Sequence, residues 1–137
     1  MQREGGVRQN EVTSRNTPGV IGKHLLVDMH GVSGPLLADE ARLERILLDA
    51  LAAARMNVIE HRTHKFPGVE SGVTAVFLLA ESHASIHTYP ECSYAAIDIF
   101  SCGADPQIVL QTLQAQLQPS AVRTKLQLRG TAKPFAE

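Results

Sequence analysis

The chain has 137 residues, 44% of them hydrophobic and 20% charged, with a formal net charge of -1. That length supports one domain with a real core and not two. The near-neutral charge excludes a nucleic-acid binder held by bulk phosphate neutralisation, which needs an excess of Lys and Arg. The longest apolar run, residues 73–80, falls far short of the roughly 20 residues that cross a membrane.

Residues 1–20 have few apolar side chains and no periodicity, and are expected to form a disordered extension. They contain no apolar signal-peptide core, so a cytoplasmic location is expected. Residues 131–137 read as a C-terminal tail, which leaves 21–130 as the folded domain. A first strand is predicted over residues 23–30, with Leu25, Val27 and Met29 alternating against His24, Leu26, Asp28 and His30. Asp39 then caps a helix to about residue 55. Leu43, Ile46, Leu47, Ala50, Leu51 and Ala54 form its core stripe at i, i+3, i+4, i+7, i+8 and i+11.

Residues 57–66 and 72–80 read as strands joined by Pro67-Gly68-Val69-Glu70-Ser71. The second is nearly all apolar, as expected if both its faces are covered. Residues 83–88 and 94–101 read as further strands. Asp105-Pro106 opens a second helix, the Asp as N-cap and the Pro at the first helical position. Its stripe is Leu110, Leu113 and Leu117, and Pro119 stops it. The last strand, 121–129, sets Val122, Thr124, Leu126 and Leu128 against Arg123, Lys125, Gln127 and Arg129. The order β-α-β-β-β-β-α-β predicts an α+β two-layer sandwich, an antiparallel sheet with two helices packed on one face. The other sheet face then needs cover at its apolar positions, and a second subunit supplies it most simply.

The chemistry concentrates in Glu81-Ser82-His83-Ala84-Ser85-Ile86-His87-Thr88-Tyr89-Pro90-Glu91, followed by Phe100-Ser101-Cys102-Gly103. A serine hydroxyl can attack the carbonyl carbon of the preceding residue and turn the peptide into an ester. Elimination from that ester breaks the chain and leaves dehydroalanine, which hydrolyses to a pyruvoyl group. The step needs a strained or activated bond before the serine, a donor for the intermediate and a base for the serine α-proton. On an extended strand, Ser82 and His87 point to opposite faces because their spacing is odd.

Together with Gly22-Lys23-His24-Leu25 and Gly72-Val73-Thr74-Ala75-Val76, this block resembles the short prokaryotic S-adenosylmethionine decarboxylase proenzymes. The resemblance covers residues 22–130 and is most specific over 81–103. It implies cleavage between Glu81 and Ser82, with Ser82 becoming a covalent pyruvoyl cofactor. His87 matches the histidine that removes the α-proton during elimination, and Thr74 falls where the family usually has a processing serine. Cys102 matches the thiol that returns a proton to the product carbon. Glu91 matches the carboxylate that holds the substrate ribose, and Phe66 the aromatic that stacks on adenine.

The implied activity is decarboxylation of S-adenosylmethionine for polyamine (spermidine) synthesis. The substrate amine would form a Schiff base with the pyruvoyl ketone, and the adjacent amide carbonyl would accept the electron pair left by carbon dioxide. A homodimer of cleaved αβ protomers is also implied, with no nucleic-acid or membrane partner. Tyr89 and Cys92-Ser93, where members often have Trp and an aromatic-Gly pair, depart from the family pattern beside Glu91. Decarboxylation of ornithine or arginine is therefore the alternative within the enzyme class, and an uncleaved binding subunit the alternative outside it.

No metal is expected. His83 and His87 share a strand face and His61 lies near His64, but neither pair has an established ligand spacing. His24, His30, His61, His64 and His83 read as structural residues, and Cys92 as a structural thiol.

Overall fold

The computed structural model describes residues 20–130. The disordered extension expected up to residue 20 and the tail 131–137 fall outside that range, apart from Val20 itself. Six strands form one antiparallel sheet. They are β1 (Gly22–His30), β2 (Val58–Lys65), β3 (Val73–Leu79), β4 (Ser82–Tyr89), β5 (Tyr94–Ser101) and β6 (Ala121–Arg129), in the spatial order β2-β3-β4-β5-β1-β6. Helices α1 (Gly34–Leu37), α2 (Glu40–Ala53) and α3 (Pro106–Leu117) cover one face. This is the expected α+β sandwich with one addition. The four-residue α1 is too short to leave a periodic signal in the sequence.

Both long helices start where their caps place them. The Asp39 carboxylate accepts from the Arg42 backbone N–H at 3.1 Å, and Asp105 accepts from Gln107 N–H at 3.0 Å. Each cap satisfies a backbone donor that has no partner inside the helix. The core lies between helices and sheet. Leu43, Ile46, Leu47 and Leu51 of α2 and Val109, Leu113 and Leu117 of α3 are buried against Leu25, Val27, Met29, Phe77, Ile86 and Ile99.

Alternation along every central strand separates two faces. In β4, Ala84, Ile86 and Thr88 are buried under the helices, while His83, Ser85, His87 and Tyr89 lie on the open face. Register carries the division to the neighbours, since His87 pairs with Thr74 and Ala96, and Ser85 with Val76 and Asp98. β3 is accordingly two-sided. Val73, Ala75, Phe77 and Leu79 are buried, whereas Val76 and Leu78 are 47% and 50% exposed. The cover expected for its second face does not come from the described residues of this chain.

Two devices fix the C-terminal end of β4. Its C-terminal end turns through Pro90–Cys92 and Ser93, whose φ of 53° lets Tyr89 pair with Tyr94. Beside it, Gly72 runs so close to β4 that a Cβ would sit 2.3 Å from Thr88 O. The adjacent Val73 N–H donates to Thr88 Oγ1 at 2.9 Å, and Thr88 donates on to Leu37 O at 2.7 Å.

Candidate active site

Strand β4 carries chemistry at both of its ends. Ser82 is its first residue and pairs with Ser101 of β5. The Glu81–Ser82 peptide lies in the bend between β3 and β4, anchored from both sides. Ala80 N–H donates to Asn57 O at 2.9 Å, and Asn57 N–H donates to Glu81 Oε1 at 3.3 Å. The Cys102 thiol donates to Glu81 O, with sulfur and oxygen 3.1 Å apart. That oxygen belongs to the carbonyl a Ser82 hydroxyl would attack. A cleft of about 280 Å³ opens beside the thiol, lined by Ile21, Gly22, Lys23, Cys102 and Gly103.

Before Ser82 the structure shows a donor on the carbonyl and no left-handed backbone. Neither Glu81 nor Ser82 is among the described non-glycine residues with positive φ, which are Arg55, Glu70, Ser93 and Gln118. The carbonyl is instead polarised by a donor, the arrangement that stabilises a developing oxyanion.

At the other end of β4, Thr74 Oγ1 lies 3.1 Å from His87 Nδ1. Phe66, Thr74, His87, Tyr89 and Glu91 line one cleft of about 380 Å³. Phe66 is 47% exposed, with its ring edge-on to His64 at 4.8 Å, so it is not a core residue. The structure thus assembles Glu81, Ser82 and Cys102 at one end, and Phe66, Thr74, His87 and Glu91 at the other. It does not bring the two groups together within one protomer. His87 lies five residue steps along the strand from Ser82, roughly 16 Å of rise, and the two face opposite sides.

Residues of the 81–103 block that the sequence left without a role form a third group. Asp98 accepts from Ser85 Oγ, from His24 Nε2 at 2.7 Å and from His83 Nε2 at 3.3 Å. Burial works to raise its pKa. The hydrogen bonds from Ser85 and His24, with the coulombic pull of His83 and His24 in the acid range where the carboxyl titrates, outweigh burial and hold it below the usual carboxylate value. His24, His83 and Asp98 offer ligand atoms within 4.8 Å of one another. Arg129 Nη1 donates to His24 Nδ1 at 3.0 Å, and its guanidinium sits 5.3 Å over the Phe100 ring. That fixed positive charge opposes a metal cation and suits an ion-pair network. The histidine pairs weighed from the sequence do not form it; pairing of three strands does, which no local spacing reveals.

A profile of the S-adenosylmethionine decarboxylase family matches residues 23–130. The chain belongs to the S-adenosylmethionine decarboxylase family. Within it, the chain is 41% identical over 111 residues to S-adenosylmethionine decarboxylase proenzyme 2 of Bacillus cereus, covering 80% of this chain and 89% of that one. It is 39% identical over 104 residues to the S-adenosylmethionine decarboxylase proenzyme of Methanococcus maripaludis, covering 74% and 84%. It is also 36% identical over 118 residues to the arginine decarboxylase proenzyme of Pyrobaculum arsenaticum, covering 84% and 88%. The crystal structure of the Aquifex aeolicus adenosylmethionine decarboxylase superposes with a TM-score of 0.77 at 30% identity, over 87% of this chain and 98% of that one. The six-stranded sheet with its helices is therefore the family fold. Among the described residues no helix is long and apolar enough to cross a membrane.

Proposed function

We propose that the chain is a self-cleaving proenzyme that breaks at Glu81/Ser82, converts Ser82 into a pyruvoyl group, and decarboxylates S-adenosylmethionine. The contact that carries this reading is the Cys102 thiol on Glu81 O. It supplies the donor that serine attack requires and places the same thiol beside the residue that becomes the cofactor. The fit is structural as well. Ser82 is held by its pairing with Ser101, so the new terminus stays in the sheet once the chain is cut.

A pyruvoyl group at residue 82 supplies an electron sink for the pair left by departing carbon dioxide. Cys102 then delivers a proton to the substrate α-carbon. A misplaced proton would transaminate the cofactor, so the donor must stand beside residue 82, and in the uncut chain the thiol already lies against the carbonyl that precedes it. Glu91 accepts from the ribose hydroxyls and Phe66 stacks on adenine, both from the cleft that His87 and Thr74 also line. The decarboxylated product serves as aminopropyl donor in polyamine synthesis.

The distance between the two ends of β4 is bridged by a second copy of the chain. In a homodimer stacked through the open sheet faces, His87 of one protomer reaches the Ser82 end of the other, and each active site draws on both chains. Leu26, Val76 and Leu78, each at least 41% exposed on that face, favour this arrangement.

Arginine is the second substrate to consider, because the arginine decarboxylase proenzyme of Pyrobaculum arsenaticum is 36% identical over 84% of this chain, against 39% over 74% for the Methanococcus maripaludis S-adenosylmethionine enzyme. Release of labelled carbon dioxide from S-adenosylmethionine, arginine and ornithine separates the readings. Release from S-adenosylmethionine alone is expected, with a Ser82→Ala variant inert. Release from arginine or ornithine without S-adenosylmethionine would overturn the substrate assignment while leaving self-cleavage intact.

A further inference from the structure

The attack of Ser82 on the Glu81 carbonyl has an unfilled requirement. The hydroxyl must lose its proton as it attacks, and the leaving amide nitrogen must gain one. His87 of the same chain lies about five strand residues away on the opposite face, too far to do either. One imidazole is closer, that of His83, which the sequence had assigned only a structural part.

His83 Nδ1 lies 3.5 Å from Ser82 Oγ, and His83 Nε2 lies 3.3 Å from Asp98 Oδ2. The partners assign the proton. An ionised carboxylate only accepts, so Asp98 holds the hydrogen on Nε2 and leaves Nδ1 with a free lone pair facing the serine. Asp98 is kept in place from three strands, by Ser85 of β4 and His24 of β1 around its own position on β5. Phe100 packs against both imidazoles, with centroids 5.1 Å from His24 and 5.8 Å from His83, and so restricts their orientation. The order hydroxyl, imidazole, carboxylate is the nucleophile, base and orienting acid of acyl-transfer sites. The Ser82–His83 distance is at the long end for a hydrogen bond, as is common before the reacting group tightens onto its base.

Building on the self-cleavage reading, we propose that His83 is the general base for serine attack in proenzyme processing, with Asp98 as its positioning residue. The Ser82 Oγ–H proton passes to His83 Nδ1 as the bond from Oγ to the Glu81 carbonyl carbon forms. The oxyanion is held by the Cys102 thiol. The same proton then moves from His83 to the Ser82 nitrogen as the Glu81–Ser82 C–N bond breaks, leaving an ester and a free amine. The step is an isomerisation, so nothing is added or lost. It divides the labour between two histidines, His83 making the ester and His87 driving its elimination.

Hydroxylamine cuts esters and so reads the two steps apart. Precursor made by cell-free synthesis is followed over time, with and without hydroxylamine, and cleavage is located by mass spectrometry. In a His87→Ala chain the ester accumulates and hydroxylamine cuts it at residue 81. In a His83→Ala/His87→Ala chain that cut disappears. Alone, His83→Ala slows self-cleavage by roughly a hundredfold or more, and added imidazole restores part of the rate, which a purely structural role would not allow. Asp98→Asn slows cleavage without imidazole rescue. His83→Gln, which keeps a polar side chain of similar size, carries the test if His83→Ala does not melt like the wild type. Self-cleavage of His83→Gln or His83→Ala within about threefold of the wild-type rate overturns the assignment of His83 alone. A wild-type chain that never cleaves overturns the self-processing reading beneath it.

Discussion

Thr74 Oγ1 and His87 Nδ1 stand 3.1 Å apart, each the other's direct partner across the β3–β4 ladder. The contact joins two residues thirteen positions apart through strand register alone. It occupies the cleft that Phe66 and Glu91 also line. The threonine hydroxyl orients the imidazole, which fits the proposed part of His87 in drawing the Ser82 α-proton. Replacing Thr74 with Val keeps the shape and removes the hydroxyl. Self-cleavage should then slow by roughly tenfold to a hundredfold, while Thr74→Ser stays within a few-fold of wild type, both read from the rate of fragment appearance.

Cys102 is assigned two duties, and substitutions separate them. A Cys102→Ser hydroxyl can still donate to Glu81 O, so the chain should process, but a poorer proton donor should cut carbon dioxide release by roughly a hundredfold or more. Cys102→Ala removes the donor altogether and should slow processing as well. Fragment analysis and carbon dioxide release on the same samples check both outcomes. A Cys102→Ser enzyme with full turnover would remove the thiol from the reaction.

The fold was largely legible in the sequence because its signals are local. Strict alternation in 23–30 fixes which side chains meet the helices, that in 121–129 puts Val122 and Leu126 against the core, and Asp39 and Asp105 mark the helix starts. The odd spacing of Ser82 and His87 already separated them onto opposite faces, and the structure retains that separation. The Asp98 network was not legible, since it exists only once β4, β5 and β1 align His83, Asp98 and His24. Nor could periodicity reveal α1, whose four residues complete barely one turn. The parts assigned to Phe66, Thr74 and Glu91 came from family resemblance, and what the fold adds is their gathering around one cleft.

Two titrations follow from the open-face network. The pKa of Asp98 is lowered in the folded chain, so the stability it contributes is present above its unfolded value of 3.8 and is lost as pH falls through the lower folded value. Urea unfolding should therefore show wild type more stable than Asp98→Asn at neutral pH, with the gap closing in acid. Tyr94 moves the other way. Its hydroxyl donates to Asp28, and that hydrogen bond is the largest cause of a pKa pushed up to about 12. Its contribution is full below pH 10 and lost as pH rises toward 12. Ultraviolet titration of a Tyr89→Phe chain, which leaves one tyrosine, should find that high value, and Asp28→Asn should return it toward 10.

Cover for the open sheet face is testable by size. Sedimentation should find wild type as a dimer. Placing Lys at both Leu26 and Leu78 would bury unpaired charge and weaken association by roughly a hundredfold or more. With His87 supplied across that interface, as proposed, monomeric variants should also stop at the uncut or ester stage. Monomers that process at the wild-type rate would remove the second copy from the active site.

Conversion of Ser82 into a cofactor is tested most directly by the mass of the purified, denatured protein. Two species are expected, an N-terminal fragment ending at Glu81 and a C-terminal fragment that begins with a pyruvoyl group in place of Ser82, while Ser82→Ala stays whole. An intact 14.9 kDa wild-type chain as the sole species would contradict it.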